Sequence, residues 1–96
     1  MKKSYLFVFN PSLGTQEEIK KFIDSCGKIS SWRYELNNTY FIVSELDAND
    51  LYELVSKHFG KGKGSFIIAE YVDNSQGLLN ERSWHLLNNK KLPPKS

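Results

Sequence analysis

Two short segments constrain this fold more than any other feature. Residues 4–9, Ser-Tyr-Leu-Phe-Val-Phe, and residues 65–72, Ser-Phe-Ile-Ile-Ala-Glu-Tyr-Val, are largely apolar on both faces of an extended chain. Such strands belong inside a sheet with cover on both sides. The chain has 96 residues, enough for one domain that buries about two thirds of its unfolded surface. So short a chain covering a two-sided sheet points to a second subunit or partner as the missing layer.

The intervening sequence supplies helices and a hairpin. Asn10-Pro11-Ser12-Leu13-Gly14 is a turn cluster. Thr15 with Glu18 three residues on is a capping-box pattern, and Ile19, Phe22, Ile23 and Cys26 then share one helical face up to Gly27. Residues 29–36 and 39–45 read as strands joined by Asn37-Asn38, since Asn tolerates the positive φ of a two-residue turn. That register sets Leu36 against Thr39, Tyr34 against Phe41 and Trp32 against Val43 on the core side. Glu35 with Tyr40 and Arg33 with Ile42 then share the other side. Asp47 or Asn49 caps a second helix with the stripe Leu51, Leu54, Val55 and Phe59, ended by Gly60-Lys61-Gly62-Lys63-Gly64. Asn80 caps a short third helix over 81–88 carrying Trp84, Leu86 and Leu87, and 89–96 reads as a flexible basic tail.

The order is β-α-β-β-α-β with a terminal helix. It predicts an α+β, ferredoxin-like domain over 1–88, with one antiparallel sheet, two helices on one face and a short C-terminal helix. Right-handed crossovers place the first strand inside the sheet. Alternation leaves two possibilities for it: Leu6 and Val8 toward the helices with Tyr5, Phe7 and Phe9 away, or the reverse.

Charge and cysteine content narrow the function classes. The net charge is +2 from 13 basic and 11 acidic side chains. Five of the lysines lie outside residues 4–89, leaving eight basic groups against eleven acidic ones in the body. That body lacks the basic groove a nucleic-acid backbone needs. The single cysteine, Cys26, excludes an internal disulfide and a cysteine-based zinc cluster. No run is long enough to span a membrane, and the stretch before Pro11 is too short for a secretory signal, so a cytoplasmic setting is expected.

Several motifs form a pattern of strands and aromatics. Tyr5-Leu6-Phe7-Val8 opens the chain, and Trp32-Arg33-Tyr34 follows the first helix. Thr39-Tyr40-Phe41-Ile42-Val43, Phe66-Ile67-Ile68, Gly77-Leu78-Leu79 and Trp84 complete it. Over about residues 4–88 the chain resembles the small bacterial and phage proteins called SinR-like. These are similar to the small CRISPR-associated integrase subunit and to virulence-associated protein D. The resemblance implies a homodimer formed through the sheet face or last strand, with Phe66 and Ile68 at the interface; Trp84, a lone aromatic on a short helix, pins that helix to the sheet or to a second subunit at the interface. It also implies an acidic metal ligand at the end of the first strand. Asn10 stands at that position here, and an uncharged amide is a poor sole anchor for a hard dication.

Tyr5, Phe7 and Phe9, with Tyr40 and Arg33, could form an aromatic platform on an open sheet face, for a protein contact or for base stacking. Lys61 and Lys63 offer the best local anion site, although their loop runs from helix to strand and so meets the wrong end of a helix dipole. His58 and His85 lack ligands or partners at useful spacing. Asp47, Asp50, Glu45 and Glu53 suit the start of the second helix. Glu70, charged within an apolar strand, points to solvent, marks an edge or pairs with a basic residue such as Arg33. The resulting expectation is a non-catalytic homodimer with no cofactor, metal or membrane association, binding a protein or, weakly, RNA or DNA. One alternative is a metal-dependent nuclease like the CRISPR-associated subunit, with Asn10 and Ser12 as candidate catalytic residues. Another is an inhibitor, immunity or antitoxin-like protein, whose acidic body complements a basic enzyme surface.

Overall fold

Each helix starts where a side chain satisfies the first free backbone N–H groups. Thr15 Oγ1 accepts from Glu18 N at 3.2 Å while Glu18 Oε1 accepts from Thr15 N at 2.9 Å, a complete capping box opening α1 (Gln16–Ser25). Asp47 Oδ1 accepts from Asp50 N at 2.8 Å at the start of α2 (Ala48–Phe59), and Asn80 Oδ1 accepts from Arg82 N at the start of α3 (Glu81–Asn89). The computed structural model describes residues 1–93; the last three residues of the expected basic tail lie outside them. Before that point Asn89 closes α3 and Lys90 follows it as a left-handed cap.

Strands β1 (Lys3–Phe9), β2 (Ile29–Tyr34), β3 (Thr39–Ser44) and β4 (Phe66–Glu70) form one antiparallel sheet in the order β2-β3-β1-β4. This is the ferredoxin-like layout, with β1 inside and β2 and β4 at the edges. Of the two possibilities for β1, the structure takes the second. Tyr5, Phe7 and Phe9 point toward α1 and α2, packing with Ile19, Phe22, Ile23, Leu51 and Val55. Leu6 belongs to the opposite side, with Phe41, Val43, Leu86 and Leu87.

The β2–β3 register differs by one residue from the two-residue-turn expectation. Tyr34 lies opposite Tyr40, Arg33 opposite Phe41 and Trp32 opposite Ile42. The cause is the connection: residues 35–38 form a longer loop, closed by Thr39 N donating to Leu36 O, and Asn38 takes φ 58°. Tyr34 Oη accepts from Asn38 N at 3.0 Å and ties the loop back to its strand. A one-residue slip exchanges the two faces. Tyr40 and Ile42 of β3 therefore join Trp32 and Tyr34 on the helix side, the Tyr40 ring centroid lying 5.5 and 4.8 Å from theirs, while Phe41 and Val43 go to the other face, with Arg33.

The second face is covered in part by the chain itself. Helix α3 lies across it, burying Leu86 and Leu87 against Phe41 and Val43. It rests mainly on β3, with lesser contact to β1 and β2. The half of this face over β1 and β4 stays open, with Val8 39% and Ile67 62% exposed. No helix among the described residues is long and apolar enough to cross a membrane.

Candidate functional site

The expected aromatic platform does not exist as a surface. Tyr5, Phe7, Phe9 and Tyr40 are at most 4% exposed, because the helices cover them. Their polar ends are used internally: Tyr5 Oη donates to Leu46 O at 2.6 Å and Tyr40 Oη to Gln16 O at 3.3 Å. Burial pushes both phenols above the ordinary tyrosine value; nearby carboxylates, Glu70 first, add to the effect on Tyr5. Arg33, assigned to the same platform, sits on the opposite face. Bases cannot stack on rings that lie beneath two helices.

Arg33 instead belongs to a polar latch at the start of α3. Its Nε donates to Ser83 Oγ at 2.8 Å, and the Ser83 hydroxyl donates to Glu35 Oε1. Glu35 also accepts from Asn80 N, at 2.8 Å to Oε2. These bonds, the Ser83 hydroxyl foremost and then the Asn80 amide, hold the Glu35 carboxyl below its usual range. At the other end of the helix Ser4 Oγ donates to Leu87 O at 2.8 Å. Ser4 and Ser83 are fully buried, so each hydroxyl is satisfied rather than presented to solvent. Sequence reasoning missed Glu35, Ser83 and Ser4. Their partners lie 48 and 83 residues away along the chain, and no local pattern connects them.

Asn10 and Ser12 are exposed and occupied with the turn: Asn10 Oδ1 accepts from Ser12 N at 2.9 Å. Among the described residues, no group of three or more His, Cys, Asp or Glu side chains is placed to hold a metal ion. His58 packs against the rings of Phe22 and Phe59, with centroids 4.8 and 4.6 Å away. The Cys26 thiol is half-buried, 3.7 Å from Ile23 O.

Lys61 and Lys63 are exposed on the loop between α2 and β4. Gly60 and Gly62 take φ of 92° and 86°, conformations that suit glycine. Gly64 has a different role. A Cβ there would overlap the Leu13 backbone nitrogen and lie 2.6 Å from Leu13 Cα, so the loop is pressed against the 10–14 turn. A shallow cavity of about 270 Å³ between this loop, Tyr52, Ser56 and Phe66 adjoins the C-terminal end of α2.

Two further features are accessible. The first is the outer edge of β4. Tyr71 N donates to Ser4 O and Asn10 N to Ser65 O, so those residues turn their backbone groups toward β1. By alternation Phe66, Ile68 and Glu70 turn theirs away from the sheet. Phe66 and Ile68 side chains are half-buried on the helix side, where Tyr52 stacks on Phe66 at 5.7 Å, and Glu70 is exposed at the strand end. Glu70 thus marks an edge and does not pair with Arg33. The second is an apolar cavity between α3 and the 71–79 loop, with Trp84 in its wall. Trp84 packs inside the chain against the second core cluster, 6.2 Å from the Tyr71 ring.

No protein-family model matches the chain, and neither curated proteins nor solved structures yield a match.

Proposed function

We propose that this chain is a non-catalytic recognition module that works as a homodimer paired through β4. One observation carries the reading: β4 is an open edge whose one charge, Glu70, lies at its end. From Phe66 to Ala69 it has no charge, proline or bulge, and Ile67 is 62% exposed on its flank. Natural edge strands are normally blunted by such devices.

A second copy fits this edge because the edge is self-complementary. Antiparallel pairing about Ile68 sets the outward backbone groups of Phe66, Ile68 and Glu70 against Glu70, Ile68 and Phe66 of the other copy. It also places Ile67 across from Ala69, and brings the segments holding Lys63 and Asp73 opposite each other. A C2 contact of this kind repeats every favourable pairing twice. The resemblance to SinR-like proteins supports the same arrangement, since it implies dimerisation at the sheet face or last strand. Recognition is favoured over turnover because the chain's best-placed polar groups already serve its own fold: Ser83 and Glu35 hold α3, Ser4 satisfies a carbonyl, and Asn10 closes a turn.

Light scattering of the purified protein tests this. A particle of twice the chain mass is expected. Ile67→Lys, which sets a charge on the apolar flank, and Glu70→Pro, which removes an outward N–H without touching the β1 ladder, should each give a monomer. A wild-type monomer at millimolar concentration would overturn the reading.

A further inference from the structure

The cavity under the 71–79 loop has a shape and lining of its own. Its walls are Leu6 and Phe41 from the sheet, Trp84 and Leu87 from α3, and Tyr71 and Leu79 from the loop that leads into α3. The volume is about 200 Å³. Three of these walls are aromatic rings. Polar groups on the lining residues include the Ser75–Gly77 stretch, the Trp84 indole N–H and the Tyr71 hydroxyl, which donates to Asn88 Oδ1 at 2.8 Å and keeps lone pairs free to accept.

The chain does not fill this space with its own residues. Leu78 stands at the rim yet is 98% exposed, and Leu36 on the opposite rim is 46% exposed. The two leucines extend the apolar lining of the cavity out to its mouth. The loop wall is also free to adjust. Between 72 and 79 it has one backbone hydrogen bond of its own, Ser75 N to Asp73 O, and one bond from Gly77 N to the Gln76 side chain. Segments so lightly tied open at low cost.

We infer that this cavity is a binding site for a small apolar molecule of one ring, carrying a single hydroxyl or similar polar group. The size sets the class. Drug-sized pockets start near about 300 Å³, so a half-open space of about 200 Å³ suits a single ring. A ring lies against Phe41, Trp84 and Leu87, and its polar group lies toward Tyr71 and the 75–77 backbone. Leu78 and Leu36 then close over the exposed edge of the ring. The inference does not depend on β4 pairing, because the outward edge of β4 takes no part in the cavity.

The test uses the full chain with para-cresol as the probe, followed by two-dimensional amide NMR and by thermal unfolding. Saturable shifts are expected at Leu6, Phe41, Tyr71, residues 75–79, Trp84 and Leu87, together with a rise in the unfolding temperature. In a Trp32→Phe background the emission of Trp84 should change with the same midpoint. Leu78→Asp, at a fully exposed position that leaves the fold intact, should weaken binding several-fold. Leu36→Trp, which fills the mouth, should abolish it. Shifts that do not saturate, or that scatter over the surface, would overturn the inference. So would cavity shifts that follow protein concentration in place of cresol, since they would make the occupant a side chain of a second copy.

Discussion

Replacing Glu35 with alanine should release the start of α3 and leave the rest of the sheet in place. The carboxylate accepts from the Asn80 amide at 2.8 Å and from the Ser83 hydroxyl, which in turn accepts from Arg33 Nε. Hydrogen bonds to a charged acceptor are worth about 1.5–3 kcal/mol when dry and less beside water. Glu35 is partly exposed, so the two together should contribute about 2 kcal/mol. In a domain of this size each kcal/mol moves Tm by about 4–8 °C, so Glu35→Ala should lower it by roughly 8–16 °C. Ser83→Ala should cost about 1–2 kcal/mol, because it strands the Arg33 donor and leaves the carboxylate with the Asn80 amide alone. The double variant should cost about 1 kcal/mol less than the sum of the two.

Urea unfolding, with amide exchange over residues 83–89, reads both the energy and its location. The pH dependence has a fixed sign. A carboxyl held below its ordinary value contributes stability that is present above the unfolded glutamate pKa and is lost as pH falls through the folded value. Wild type should therefore lose its advantage over Glu35→Ala on acidification. A loss below about 0.5 kcal/mol, or full additivity with Ser83→Ala, would refute the latch.

Two further outcomes follow from the packing. Gly64→Ala should destabilise the domain by about 1–3 kcal/mol, because its Cβ meets Leu13 backbone that cannot move aside cheaply; chemical denaturation checks this, and a neutral result would contradict the contact. Tyr5 and Tyr40 should stay protonated above the ordinary phenol value of about 10 in the folded protein. Stability is then complete below the unfolded pKa and falls as pH rises through the folded one. Ultraviolet titration at alkaline pH should show two phenols appearing late, together with unfolding.

The helices were legible because their signals are local. The Thr15–Glu18 box, the Asp47 cap and the Asn80 cap each involve residues within one turn, and the apolar stripes repeat at the helical period. The strands and their order were legible from the alternation of elements. Which face of a strand meets the helices was not. With apolar side chains on both sides of β1, alternation carries no sign, and the same holds for the β2–β3 pair once the turn length is misjudged by one residue. That single slip moved Tyr40 and Ile42 to the helix side and Phe41 and Val43 to the face of Arg33, and with the facing of β1 it removed the aromatic platform.

The candidate surfaces divide the same way. Phe66 and Ile68 stood out as interface residues by their place in the last strand, and the structure sets that strand at an open edge. The latch of Arg33, Ser83 and Glu35 and the Trp84 cavity were invisible, because they arise only when α3 folds back over the sheet. By itself the sequence determined the element order, the helix starts and the need for cover on both sides of the sheet, since propensity, capping and hydrophobic period act over a few residues. Only the tertiary structure decided which aromatics are core, what covers the second face and where it stays open. Those outcomes depend on one-residue registers and on contacts between distant segments, which local sequence does not encode.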